Sequence, residues 1–383
     1  MSVTGDAGAD DARRPSLSAA KRVVVKIGSA LVVDPDRAAP RTGWLASVAD
    51  DVAALRAAGT EVVLVSSGAI ALARHSLGLT RPALRLQEKQ AAAAVGQIRL
   101  AQAWSAVLSE RGLTAAQLLL TPDDTEDRRR YLNARATLDT LLGLGCVPVI
   151  NENDTIATAE IRFGDNDRLA ARVAQMINAD QLILLSDIDG LYTADPRVDP
   201  NARHLPTIDA ITPEIDAMGG APPPGYSSGG MRTKLLAARI ATNSGCAMAI
   251  ALGKRQHPLA ALRDGARCTW FLPGADSRSA RKRWIAGGLT PSGQLTIDNG
   301  AVRALNEGGS LLPVGVKAVQ GEFNRGDLVR VLSQDGSEIG RGLCSYSAED
   351  ARRIAGKRSD EFESILGWQG RDELIHRDDL ILG

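Results

Sequence analysis

From Lys21 onward the chain repeats one grammar: a short apolar run, a polar or glycine-rich break, then apolar residues at helical spacing. The first run, Val23-Val24-Val25, ends in Lys26-Ile27-Gly28-Ser29. Continuous rather than alternating hydrophobicity predicts a strand covered on both faces. Trp44, Leu45, Val48, Val52 and Leu55 then share one helix face over about residues 43–58, and Gly59 is placed to stop that helix. Residues 62–65 repeat the strand pattern and break into Ser66-Ser67-Gly68 before another helix. Residues 147–150, 182–185 and 247–252 do the same. This alternation implies an α/β fold with a mostly parallel sheet sandwiched by helices. Pro148 cannot donate to a ladder, so it is expected at a strand start or an edge.

The grammar changes near residue 270. Residues 270–288 hold Pro273, several glycines and Arg281-Lys282-Arg283, and read as a linker. Beyond them come short strands with glycine-rich turns, at 294–297, 328–332 and 339–344, and one helix-like stretch at 348–355. That pattern predicts a small C-terminal β-barrel domain. The expected organisation is a flexible tail over 1–20, a core over 21–269, a linker over 270–290, the small domain over 291–371 and a tail over 372–383.

Length agrees, since 383 residues exceed one ordinary core. Basic and acidic residues balance at 45 each, which excludes a general attraction to nucleic acid or anionic membranes. Any anion must therefore be held by a local arrangement. Cys146, Cys246, Cys268 and Cys344 are scattered, as are His75, His204, His257 and His376. Neither set has the spacing of a metal site or a Cys–His pair, so no protein metal site is expected, and the cysteines read as reduced thiols of a cytoplasmic protein. No apolar stretch is long enough to span a bilayer.

Four polar clusters, at residues 26–29, 66–68, 151–154 and 186–190, follow strands, and ligands of open parallel sheets bind at the carboxyl ends of the strands. Lys26 sits where a phosphate could reach it, or is an ordinary strand-end lysine facing solvent. Asn151-Glu152-Asn153-Asp154 and Phe163-Gly164-Asp165-Asn166-Asp167 form two dense sets of amides and carboxylates, suited to the charged ends of an amino acid. Asp165 or Asp167 could instead cap the helix beginning near Arg168. The segment from Ser186-Asp187 to Arg197 reads either as a β-hairpin excursion or as a nucleotide wall. Ser228-Gly229-Gly230-Met231-Arg232-Thr233-Lys234 opens a helix, where bare N–H groups and a lysine favour phosphate. It is not a Walker A loop, because the spacing differs. A surface loop before an amphipathic helix is the alternative.

Taken together and in this order, these clusters resemble the amino acid kinase family. The residues that carry the resemblance are Val25-Lys26-Ile27-Gly28-Ser29, Val65-Ser66-Ser67-Gly68-Ala69-Ile70, Val149-Ile150-Asn151-Glu152-Asn153-Asp154, Gly164-Asp165-Asn166-Asp167, Gly190-Leu191-Tyr192-Thr193-Ala194-Asp195-Pro196-Arg197 and Gly229-Gly230-Met231-Arg232-Thr233-Lys234. The C-terminal part resembles a PUA domain, with Arg352-Arg353-Ile354-Ala355-Gly356 fitting it. Ser227-Ser228 departs from the Gly-Thr that the family often has there.

The resemblance implies an ATP-dependent kinase acting on the side-chain carboxylate of L-glutamate, the first step toward proline. It implies that Lys26 and Lys234 stabilise the phosphoryl group in flight and that Asp167 holds them. Ser67, Asp154 and Asn166 would bind glutamate, with Asn151 as a neighbour. Lys26, Ser186, Asp187 and Ser228, Gly229, Gly230, Met231, Arg232, Thr233 and Lys234 would bind ATP. Mg2+ would bridge the ATP phosphates, L-proline would act as feedback inhibitor, and the chain would form a homo-oligomer. The rivals are another kinase on this scaffold, acting on acetylglutamate, aspartate or a nucleotide, and an RNA-binding accessory protein, since PUA-like domains elsewhere bind RNA. Residues 275–383 have no net basic field despite the local run Arg352, Arg353, Lys357 and Arg358, which argues against RNA.

Overall fold

The computed structural model describes residues 14–79, 81, 83–156, 166–220, 230–274, 290–368 and 370–382. The chain divides into two compact units, one of residues 1–126 and 134–277, the other of residues 127–133 and 278–383.

The first unit is built on an eight-stranded sheet. Its strands are β1 (Arg22–Ile27), β2 (Glu61–Ser66), β3 (Ala115–Leu120), β4 (Val147–Glu152), β5 (Gln181–Ser186), β6 (Thr207–Ile208), β7 (Ala247–Leu252) and β8 (Cys268–Phe271). Their order across the sheet is β6-β8-β7-β5-β1-β2-β4-β3. Strands β3, β4, β2, β1, β5 and β7 run parallel, and only the β7–β8 pairing is antiparallel. β4 and β5 are buried at every position, as their unbroken apolar runs require.

β1 lies at the centre. It pairs with β2 from Arg22↔Glu61 to Ile27↔Ser66, and with β5 from Val23↔Gln181 to Ile27↔Leu185. The chain winds outward from β1 in both directions, so the carboxyl ends of β1, β2 and β5 border a topological switch point. Pro148 is the second residue of β4, an interior strand, and it lies ahead of the ladder to β2, which begins at Leu64↔Val149. The expected strand-start position is met without an edge.

Side-chain alternation sorts the two faces of the sheet. Val23, Val25 and Ile27 point into a core shared with Leu45, Val48 and Val52 of the Thr42–Ala57 helix and with Trp104. Gly59 ends that helix with φ +88°. Val24 and Lys26 therefore face the other side, where the Asn166–Met176 helix packs against β1. A lysine is thus carried inward by the same period that buries its valine neighbours.

The second unit holds a five-stranded mixed sheet in the order Val316–Gly321, Gly293–Ile297, Leu328–Ser333, Glu338–Leu343, Leu380–Leu382. Leu295, Val329, Val331, Tyr346, Ile354 and Phe362 fill its core. The Ala348–Ile354 helix covers this core and is capped by Ser347, whose Oγ accepts the Asp350 N–H at 3.2 Å.

Three boundaries differ from the sequence reading. Residues 372–383 are not a tail: Leu374, Ile375 and Leu380 are buried, and Leu380–Leu382 pairs with Glu338–Leu343. Charged neighbours at Asp372, Glu373, Asp378 and Asp379 mask this short apolar set. Residues 1–13 lie outside the described part, but Leu17–Ala19 forms a 3₁₀ turn with Leu17 in the core. Strand β8 runs two residues into the expected linker, whose residues 275–289 lie outside the described part. No described helix is long and apolar enough to cross a membrane.

Candidate active site

Two clusters of side chains gather at the carboxyl ends of the parallel strands. The first centres on Asp167, wholly buried in the opening turn of the Asn166–Met176 helix. Its Oδ1 meets Lys26 Nζ at 2.5 Å and its Oδ2 meets Lys234 Nζ at 2.9 Å. Burial pushes this carboxyl up, but the two ammonium charges and their hydrogen bonds overcome that and hold it down, to about 2. Asp167 is therefore a clamp rather than the helix cap that its position also allowed. Lys26 is only 7% exposed, which settles the solvent-facing alternative against it.

Two lysines against one aspartate concentrate ammonium charge in a buried setting. The Met231–Asn243 helix adds to it. Gly230 stands at its N-cap, and Thr233 Oγ1 accepts the Gly230 N–H at 3.2 Å while donating to Gly230 O at 2.8 Å. That arrangement aligns the first turn, whose N–H groups have no acceptor within the helix. Lys234 follows one turn in, so helix terminus and ammonium converge where a phosphate would bind. Met231 is half-buried and Arg232 exposed, while Ser228 and Gly229 lie outside the described residues.

The second cluster is neutral. Ser67 follows β2, and its backbone N–H donates to Ile27 O at 3.0 Å, tying the ends of β1 and β2 together. Trp104 Nε1 donates to Ser66 Oγ at 2.9 Å and holds that end from the opposite face. Gly68, at φ +121°, makes the turn into the Ala69–Arg74 helix that a side chain would strain. Asn166 Nδ2 donates to Ser67 Oγ at 2.5 Å and to Asn151 Oδ1 at 2.8 Å. Asn151 Nδ2 donates in turn to Gln97 Oε1 at 2.9 Å.

Of the residues expected to bind glutamate, Ser67, Asn151 and Asn166 thus meet. Asp154 is half-buried in the turn after β4. Gln97, on the Leu86–Ser109 helix, was not anticipated. It lies in a run of alanines with no strand end or glycine turn beside it, so nothing local marks it. Ser186 closes β5, is buried, and donates from Oγ to the exposed Asp187 at 3.2 Å. The segment after it forms the two-stranded pair Leu191–Tyr192 and His204–Leu205, the excursion that the turn residues suggested. No group of three or more His, Cys, Asp or Glu side chains that could hold a metal ion occurs among the described residues.

Comparison with known proteins places these features. Residues 21–251 match the model of the amino acid kinase family, and residues 293–366 match that of the PUA domain. The chain is 66% identical over 371 residues to a glutamate 5-kinase of Gluconobacter oxydans, covering 97% of this chain and 98% of that one. It is 61% identical over 366 residues to a glutamate 5-kinase of Paramagnetospirillum magneticum, covering 96% and 99%. A glutamate 5-kinase of Paracoccus denitrificans is 61% identical over 368 residues, again covering 96% and 99%.

Proposed function

The chain belongs to the amino acid kinase family, and from that premise we propose that it transfers the γ-phosphoryl group of ATP to the side-chain carboxylate of L-glutamate. The product is L-glutamyl 5-phosphate, an acyl phosphate, and the reaction is the first step of proline biosynthesis. The observation that carries the chemistry is the buried Asp167 held between Lys26 and Lys234.

A glutamate side chain has an ordinary pKa of ~4.3, so the nucleophile is already ionised at neutral pH and needs no general base. What remains is positioning and stabilisation of charge on the moving group. Lys26 and Lys234 supply that charge, and Asp167 fixes both ammonium groups in one geometry before substrate arrives. The turn at Gly230 to Lys234, with Ser186 and Asp187, receives ATP. Ser67, Asn151, Asn166 and Asp154 receive glutamate at the end of the same sheet. We assign this work to residues 21–269.

Asp167 is already engaged with two lysines, and the described residues offer no carboxylate cage. Mg2+ therefore fits as a cation carried by the ATP phosphates, which commonly bind it with few protein ligands. L-Proline, an amino acid smaller than the substrate, competes at the amide cluster. A homo-oligomer belongs to the same reading through the family.

The decisive assay is ATP-dependent turnover of glutamate with hydroxylamine present, which traps acyl phosphates as hydroxamates. Hydroxamate formed from glutamate, and not from acetylglutamate or aspartate, is the expected result. Turnover of either of those acids without glutamate hydroxamate overturns the assignment.

A further inference from the structure

The amide cluster has a polarity that can be traced from one fixed donor. A backbone N–H cannot be turned round, and that of Glu152 donates to Asn151 Oδ1 at 2.9 Å. Asn151 Nδ2 must then point the other way. Asn151 is buried, so this donor needs an acceptor, and Gln97 Oε1 provides it at 2.9 Å. Because Asn151 presents its oxygen to Asn166, Asn166 answers with Nδ2. That nitrogen also reaches Ser67 Oγ. The remaining atom, Asn166 Oδ1, is buried and meets no donor among the described residues.

A buried carbonyl oxygen without a donor is costly to leave, and a ligand carrying N–H groups relieves it. Glutamate has one such group, its α-ammonium; its carboxylates only accept. We infer that Gln97 is a positioning residue that fixes the orientation of Asn151 and thereby presents Asn166 Oδ1 as the acceptor for the substrate's α-ammonium group. The inference rests on the glutamate reading above. Gln97 attains its place through its neighbour Gly96. A Cβ at Gly96 would lie 1.7 Å from Ala69 O, so the long helix approaches the post-β2 helix at a distance that only glycine permits.

The test uses two variants and two acids. Gln97→Met keeps length and removes the acceptor; Gln97→Glu keeps an acceptor for Asn151 Nδ2. Glutarate has the same reacting carboxylate as glutamate and no ammonium, and is measured as a competitor of glutamate. Gln97→Met is expected to raise the glutamate KM by roughly tenfold, the effect of one misplaced hydrogen bond. Its kcat and ATP KM stay within about twofold of wild type, and its glutarate inhibition constant is unchanged. Gln97→Glu restores the glutamate KM. If Gln97→Met does not fold, Gln97→Leu makes the same comparison. Equal weakening of both acids, or failure of the glutamate variant to restore KM, overturns the inference. A wild-type protein that forms no hydroxamate from glutamate instead overturns the functional reading, so the two failures are distinguishable.

Discussion

The two halves of the candidate site differ in kind. Around Asp167 the dominant contacts are ionic and buried: one carboxylate, two lysines and a helix terminus within a turn of Gly230. Around Asn166 the mapped contacts are neutral and directional, a line of three amides from Gln97 through Asn151 and Asn166 to the Ser67 hydroxyl. Under the proposed function, the contrast follows from what each half would meet. A phosphoryl group in transfer spreads negative charge over several oxygens, and charge placed in advance stabilises it more than the ground state. An amino acid arrives with a fixed set of donors and acceptors, and amides distinguish these by orientation at little electrostatic cost. Under the proposed function, catalysis and recognition are separated on one sheet rim.

That separation can be broken from the ionic side first. Asp167→Asn leaves two lysines facing each other without a carboxylate. Stability should fall by about 3–5 kcal/mol, the usual cost of breaking a buried ion pair from one side. Urea denaturation measures it; a loss below about 1 kcal/mol would mean that the clamp adds nothing to the fold. Next come Lys26→Ala and Lys234→Ala. Each should lower kcat by roughly a hundred- to a thousand-fold while glutamate KM moves little. Near-normal kcat in both would remove the phosphate site from this cluster, and a change confined to KM would erase the division of labour.

A third effect depends on pH. The Asp167 pKa is depressed in the folded state, so its stabilisation is present in full above the ordinary carboxylate value of ~3.9. It is lost as pH falls through the folded value of about 2. The expected loss across that window is about 2–3 kcal/mol. Wild type should therefore lose stability between these limits more steeply than Asp167→Asn. Parallel slopes for the two proteins would show that other carboxylates govern acid unfolding. The smallest effect belongs to the glutamate side, where the Asp154 carboxylate joins the amides: Asp154→Ala should raise glutamate KM by about tenfold and leave kcat near wild type. Steady-state kinetics decide this, and a fall in kcat with unchanged KM would move Asp154 to the ionic half.

The ionic half was legible in the sequence and the neutral half only in part. Lys26 ends an apolar run, Lys234 follows a glycine pair, and Asp167 sits in a dense polar string, so each carries a local mark. Ser67, Asn151 and Asn166 are marked in the same way. Gln97 is not, because its role comes from where the Leu86–Ser109 helix crosses its neighbour at Gly96, a tertiary fact. The parallel sheet was readable from its continuous apolar strands. The closing strand Leu380–Leu382 was not, since three residues between charged neighbours have no periodicity to read. Pro148 lay between: its strand was evident, and only the offset ladder explains how an interior strand accepts it.

The central place of β1 also bears on how the chain reaches this fold. The strand that carries Lys26 finds one partner soon, with Arg22 opposite Glu61, and the other only when Gln181 is available to Val23. Ribosomes add ~5–20 residues per second, so the β5 side of β1 waits roughly ten seconds after β2 has emerged. Throughout that interval the Val23-Val24-Val25 edge has no partner, and an unpaired apolar edge is an invitation to pair with another chain. The strand that carries Lys26 is thus made well before its β5 partner, and until that partner arrives the newborn chain keeps an unpaired apolar edge beside the candidate site.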